Sequence, residues 1–125
     1  MPISTPAGLT TAATQTGVAG AAVTLTLAAG AATTFHYIGF IEITKTASAL
    51  LVAGATPVLV TTTNLVGSPV FDFPVDAATA GTQVVRQISS ADPIKSSVAA
   101  TATTIVCPAT TSIIWRVTAY YFIGP

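Results

Sequence analysis

Ile113-Ile114-Trp115-Arg116-Val117-Thr118-Ala119-Tyr120-Tyr121-Phe122 alternates with a period of two. Ile113, Trp115, Val117, Ala119 and Tyr121 fall on one face, and Ile114, Arg116, Thr118, Tyr120 and Phe122 on the other. Successive side chains of a strand point to opposite sides, so this run predicts a β-strand with one face against a core. Trp115 sits between Ile113 and Val117 and is expected inside that core, because aromatic side chains dominate core packing.

The same period extends upstream. Val23-Thr24-Leu25-Thr26-Leu27 alternates cleanly and predicts a half-buried strand. Phe35 to Thr46 predicts a longer one, with Tyr37, Ile41 and Ile43 on one face and His36, Ile38, Phe40, Glu42 and Thr44 on the other. Further strands are expected at Ala49–Ala53, Val58–Thr63, Val70–Val75, Gln83–Ser89 and Val98–Cys107. Pro74 marks an edge strand or a strand end, and Asp92-Pro93 a turn. No segment carries a helical period with caps. About eight short strands with regularly spaced turns predict an all-β sandwich, with jelly-roll topology favoured over an immunoglobulin-like one.

Residues 1–22 break the pattern. They are rich in Thr, Ala and Gly, with Pro2 and Pro6 and no large apolar face. They are read as an extended N-terminal arm, ordered only when something holds it, ahead of a sandwich domain at 23–125. Their start lacks the basic residues and apolar run of a signal peptide.

Composition narrows the function. A chain of 125 residues fits one domain with its own core. Only 6% of its residues are charged, against about 25% in a typical soluble domain. Glu42 is the first charged residue, and Ala and Thr occur 23 times each. A chain that omits Lys and Glu from its surface is expected to hide much of it against copies of itself or a partner. A net charge of zero points to neither nucleic acid nor an anionic membrane. The most apolar stretch, Gly17 to Ala32, is mostly Ala and Gly and falls short of a spanning helix.

Catalysis needs titratable groups held within reach of one another. Here the inventory is short. His36, alone of its kind, lies inside a predicted strand, and no Gly-x-Ser-x-Gly run presents a nucleophile. Cys107 ends an apolar strand before Pro108, where a buried thiol stays protonated and inert. Asp72 and Asp76 would stand about 13 Å apart along a strand, too far to share a proton. The four carboxylates are too scattered for a calcium loop, and no Cys/His spacing suits zinc. No phosphate-binding glycine motif occurs. The chain is therefore expected not to be an enzyme and to use no cofactor or metal. The candidate site is an interface instead: Tyr120 and Phe122 on the outer face of the last strand, with Arg116 and Arg86 as charged partners for Glu42, an Asp or a neighbouring subunit.

The runs Phe35-His36-Tyr37-Ile38, Thr56 to Leu65 (TPVLVTTTNL) and Ile113-Ile114-Trp115-Arg116-Val117-Thr118 resemble small β-sandwich structural proteins of tailed-phage virions, over residues 20 to 122. The resemblance implies a capsid decoration or head-fibre-type protein, located in the virion, homotrimeric and bound to a major capsid or other virion protein. It implies no catalytic residues. The competing reading is a sandwich module that binds carbohydrate or a receptor through exposed coplanar aromatics, again Tyr120 and Phe122. An ice-binding face, suggested by Thr-x-Thr at 14, 24, 44, 61 and 101, suffers from irregular spacing.

Overall fold

The computed structural model describes residues 11–125. Eight strands follow one another: β1 (Thr11–Thr16), β2 (Val23–Leu27), β3 (Phe35–Ala47), β4 (Val58–Thr63), β5 (Phe71–Phe73), β6 (Gln83–Lys95), β7 (Thr103–Cys107) and β8 (Ile113–Gly124). They form two four-stranded sheets in the orders β1-β8-β3-β6 and β2-β7-β4-β5, with every pair antiparallel. This interleaving of early and late strands is the jelly roll, the favoured topology of the sequence reading.

The core is the set of inward positions that the period-two pattern selects. Trp115, Phe73, Ile43, Ile113, Val60 and Val117 are fully buried. Phe73 of β5 meets Trp115 of β8 edge to face across the two sheets, at 5.1 Å and 79°, a favoured aromatic geometry. The indole N–H of Trp115 donates to the Pro108 carbonyl at 2.9 Å, so the ring is buried without an orphaned donor.

Three local expectations change. Residues 49–53 form no strand; only Leu51 bridges, to Ala78. Strand β7 begins at Thr103 rather than Val98. Asp92-Pro93 lies within β6 rather than ending it, inside a wide bulge: Ile38 and Phe40 of β3 stand opposite Ile94 and Ser89.

A larger change concerns β3. Gly39 is an extra residue between Ile38 and Phe40, where the register slips against both β6 and β8. A bulge of one residue reverses which parity faces the core. Before it the inward residues are His36 and Ile38; after it they are Ile41, Ile43, Lys45 and Ala47. Tyr37 thus lies on the outer face, not with Ile41 and Ile43.

The domain boundary also moves. Residues 11–16 are not a tail awaiting a partner: β1 pairs with β8 of the same chain through six successive residues, Thr11↔Tyr121 to Thr16↔Arg116. The turn after it continues the attachment, with Gly17 and Gly20 N–H groups donating to Trp115 and Ile113 carbonyls. The sandwich therefore starts at least as early as Thr11, and the part of the arm at 1–10 lies outside the described residues. Small residues sufficed for β1 because its bonds come from the backbone.

Candidate functional site

The outer face of the β1-β8-β3-β6 sheet can be read row by row from its register. One row is Phe122–Tyr37–Lys95, and the next is Ala12–Tyr120–Phe40–Ser89. Then come Thr14–Thr118–Glu42–Gln87 and Thr16–Arg116–Thr44–Val85. The face passes from aromatic at one end to threonine-rich at the other.

Its aromatic end is built from cross-strand pairs. Tyr37 stacks on Phe122 with centroids 4.7 Å apart and planes 9° from parallel. Phe40 meets Tyr120 edge to face at 5.9 Å. The Lys95 ammonium lies 4.0 Å from the Phe35 centroid, a cation–π contact on the same rim. Tyr120 remains 43% exposed, so the strip is open to a partner. The bulge at Gly39 made this strip, because it turned Tyr37 outward to meet Phe122.

The expected interface residues divide. Arg116, Tyr120 and Phe122 share this outer face as alternate residues of β8. Arg86 does not. It pairs in register with buried Ile43 and so points to the inner side of the same sheet. There its guanidinium lies 5.3 Å from the Phe73 centroid and Nε donates to the Asp72 carbonyl at 3.3 Å, closing the rim between β6 and β5. Glu42 takes Gln87 as its partner, accepting from Nε2 at 2.5 Å, rather than an arginine.

The outer face of the second sheet differs in kind. Its rows are Thr24–Val106–Thr61 and Thr26–Thr104–Thr63, and the Thr63 and Thr104 hydroxyls lie 2.6 Å apart. Leu59 and Asp72 follow at the β4–β5 edge. Asp72 is its one charged residue among these strands.

The groups that could carry chemistry are engaged elsewhere. His36 is buried, with Nε2 2.8 Å from the Ala28 carbonyl and Nδ1 2.7 Å from the Thr103 hydroxyl. A carbonyl only accepts, so the ring donates from Nε2 and, when neutral, accepts at Nδ1. Asn64 continues the network, donating to the Thr103 hydroxyl at 3.2 Å and to the Thr101 carbonyl at 3.1 Å, while its own oxygen accepts from the Val98 N–H at 2.8 Å. The cluster ties β3, β7 and three loops together. Cys107 is fully buried, and that burial pushes its thiol up to about 12. Among the described residues no three His, Cys, Asp or Glu side chains come together in a metal-binding set.

One functional-looking residue escaped the sequence reading. Lys45 points inward between Ile43 and Ala47 and is only 4% exposed. Its ammonium donates to the Pro74 carbonyl. It lines a cavity of about 220 Å³ with Leu51, Asp76, Thr82 and Val84. Burial lowers its pKa, Asp76 acts against that and Arg86 with it. The signal was present, since Lys45 has the parity of Ile41 and Ile43. A lysine there reads as a surface residue until the neighbouring loop is seen to cover it.

No family model matches the chain, and no curated protein matches it. Among solved structures, the chain is similar to PRD1 vertex protein P5 at 13% identity, over 87% of this chain and 71% of that one, with a TM-score of 0.42. It is also similar to a chain described as "CBM4 structure and function" at 12% identity, over 90% and 93% of the two chains, with a TM-score of 0.24.

Proposed function

We propose that the chain is a structural subunit of a virion, which binds a protein shell and copies of itself and carries out no catalysis. The observation that supports this reading is the character of the outer surface. Two broad sheet faces are clad in threonine and aromatic residues where a solitary soluble domain carries Lys and Glu. Val18, Leu50, Val52, Leu59, Val66, Val70, Val85, Val98, Tyr120 and Ile123 are all exposed. Of the four cationic side chains, Lys45 is turned into the interior and Arg86 toward the inner rim, which leaves the faces barer still. A capsid decoration protein is the specific form proposed, with the strip around Tyr120 and Phe122 as the contact and Arg116 two rows away on the same face.

The pairing of the rings favours a protein contact over a sugar platform. A platform offers ring faces side by side, but one face of Phe122 is already covered by Tyr37. The decisive experiment is cosedimentation of the purified protein with assembled capsid shells, with Tyr120→Ala as comparison. Binding that weakens at least tenfold in the variant, with an unchanged melting temperature, is the expected result. Absence of binding to shells, together with retention on an immobilised glycan, would overturn the virion reading in favour of a binding module.

A further inference from the structure

A sandwich of two open sheets has four edge strands, here β1, β6, β2 and β5. An edge presents unpaired N–H and C=O groups, and proteins that stay monomeric blunt such edges with charge, proline, bulges or short length. Strand β5 is three residues long and is followed by Pro74. Strand β6 carries Arg86, Asp92, Pro93 and Lys95, and its register is broken by the wide bulge between Ser89 and Ile94. Strand β2 is five residues long and anchored by buried Val23, Leu25 and Leu27.

Strand β1 has none of these defences. Thr11-Ala12-Ala13-Thr14-Gln15-Thr16 contains no charge and no proline, and it pairs with β8 through six consecutive residues without a bulge. Nor does it have an anchor: Ala13 alone is half-buried and the other five residues are exposed. It is held by one ladder of backbone bonds, and no strand lies on its other side among the described residues.

We propose that this edge pairs with β1 of a second copy, antiparallel across a two-fold axis. The two sheets then become one, in the order β6-β3-β8-β1-β1-β8-β3-β6. Self-pairing is the occupant that the residues favour. A two-fold contact brings one patch against itself, and any charge near its centre would meet its own kind. With only Thr, Ala and Gln in β1, no like charges meet. An axis perpendicular to the sheet through Thr14 sets Thr14 opposite Thr14 and Ala12 opposite Thr16, and it keeps both aromatic strips on one side of the joined sheet. The result is a dimer, because a single edge accepts a single strand; the trimer implied by the virion resemblance would need another contact.

This deepens the assembly reading by naming the self-contact, and its test separates the two. The measurement is the native mass of the full chain by sedimentation equilibrium across a concentration series, for the wild type, Thr14→Lys and, as control, Thr61→Lys on the outer face of the other sheet. Expected are twice the 12.5 kDa chain mass for wild type and Thr61→Lys, and a dissociation constant raised at least tenfold for Thr14→Lys, with a melting temperature equal to that of wild type at dilutions where both are monomeric. Thr14→Cys should also form an interchain disulfide on mild oxidation, since buried Cys107 does not compete. A monomeric wild type, a trimer, or a dimer indifferent to Thr14→Lys overturns the inference. A dimer that ignores capsid shells would sink the virion reading alone, and a monomer that binds them would sink this one alone.

Discussion

Strands β1 and β8 lie side by side in one sheet, joined through six residue pairs, yet they are held by different physics. Strand β8 buries Ile113, Trp115, Val117 and Ala119 completely, and its stability is that of the apolar surface it removes from water. Strand β1 buries almost nothing and persists through backbone hydrogen bonds to β8. Burial announces itself in side chains; a hydrogen-bond ladder does not. Hence β8 is the most legible element of this chain and β1 the least.

The largest test of that contrast is Trp115→Ala. Truncating a fully buried aromatic that packs on Phe73 should cost about 3–5 kcal/mol, read as a lower midpoint in urea. A cost below about 1 kcal/mol would mean that β8 is not held by its core face. His36→Phe comes next. It asks whether the polar anchor beneath β8, where the imidazole meets Tyr121 edge to face at 5.8 Å, counts with the interior. Leaving the Ala28 carbonyl without its donor and the Thr103 hydroxyl with Asn64 as its remaining partner should cost about 1–3 kcal/mol, read as a lower midpoint in urea.

The third test measures how dry that interior is. The Cys107 thiol is raised to about 12 in the folded chain from an ordinary value of 9.0. A raised acid is protonated when folded and ionises first when unfolded. Its contribution is therefore whole below pH 9 and is lost as pH climbs toward 12. The fall should approach about 1.4 kcal/mol per pH unit in that window, and Cys107→Ala should flatten it. Lys45 works in the opposite sense: its lowered pKa means that the buried ammonium costs stability, a cost relieved as pH rises toward 10.5. An alkaline slope equally steep in Cys107→Ala would show that the thiol is not shielded. The smallest effect belongs to β1. Thr14→Ala removes an exposed hydroxyl that sits 3.0 Å from the Thr118 hydroxyl and should shift monomer stability by less than about 0.5 kcal/mol. A shift above 1 kcal/mol would erase the distinction between the two strands.

Period-two alternation, a local property of the chain, was enough to establish the all-β class, most of the strands, the burial of Trp115 and Cys107, and the outward direction of Tyr120 and Phe122. The pattern failed where the deciding interaction was remote. Residues 11–16 became a strand because β8 offered its edge to them, and small side chains carry no record of that. One glycine at position 39 reversed the parity of β3, and only the register against β6 and β8 reveals on which side of the slip each residue lies. That slip put Tyr37 beside Phe122 and completed the aromatic strip. Lys45 became an interior residue because Pro74, 29 positions on, covered its end. Arg86 and Arg116 look equivalent in sequence, yet strand order and phase sent one to the inner rim and the other to the outer face. Alternation tells which residues share a side of a strand; only strand order and register, set by contacts distant in sequence, decide what that side meets.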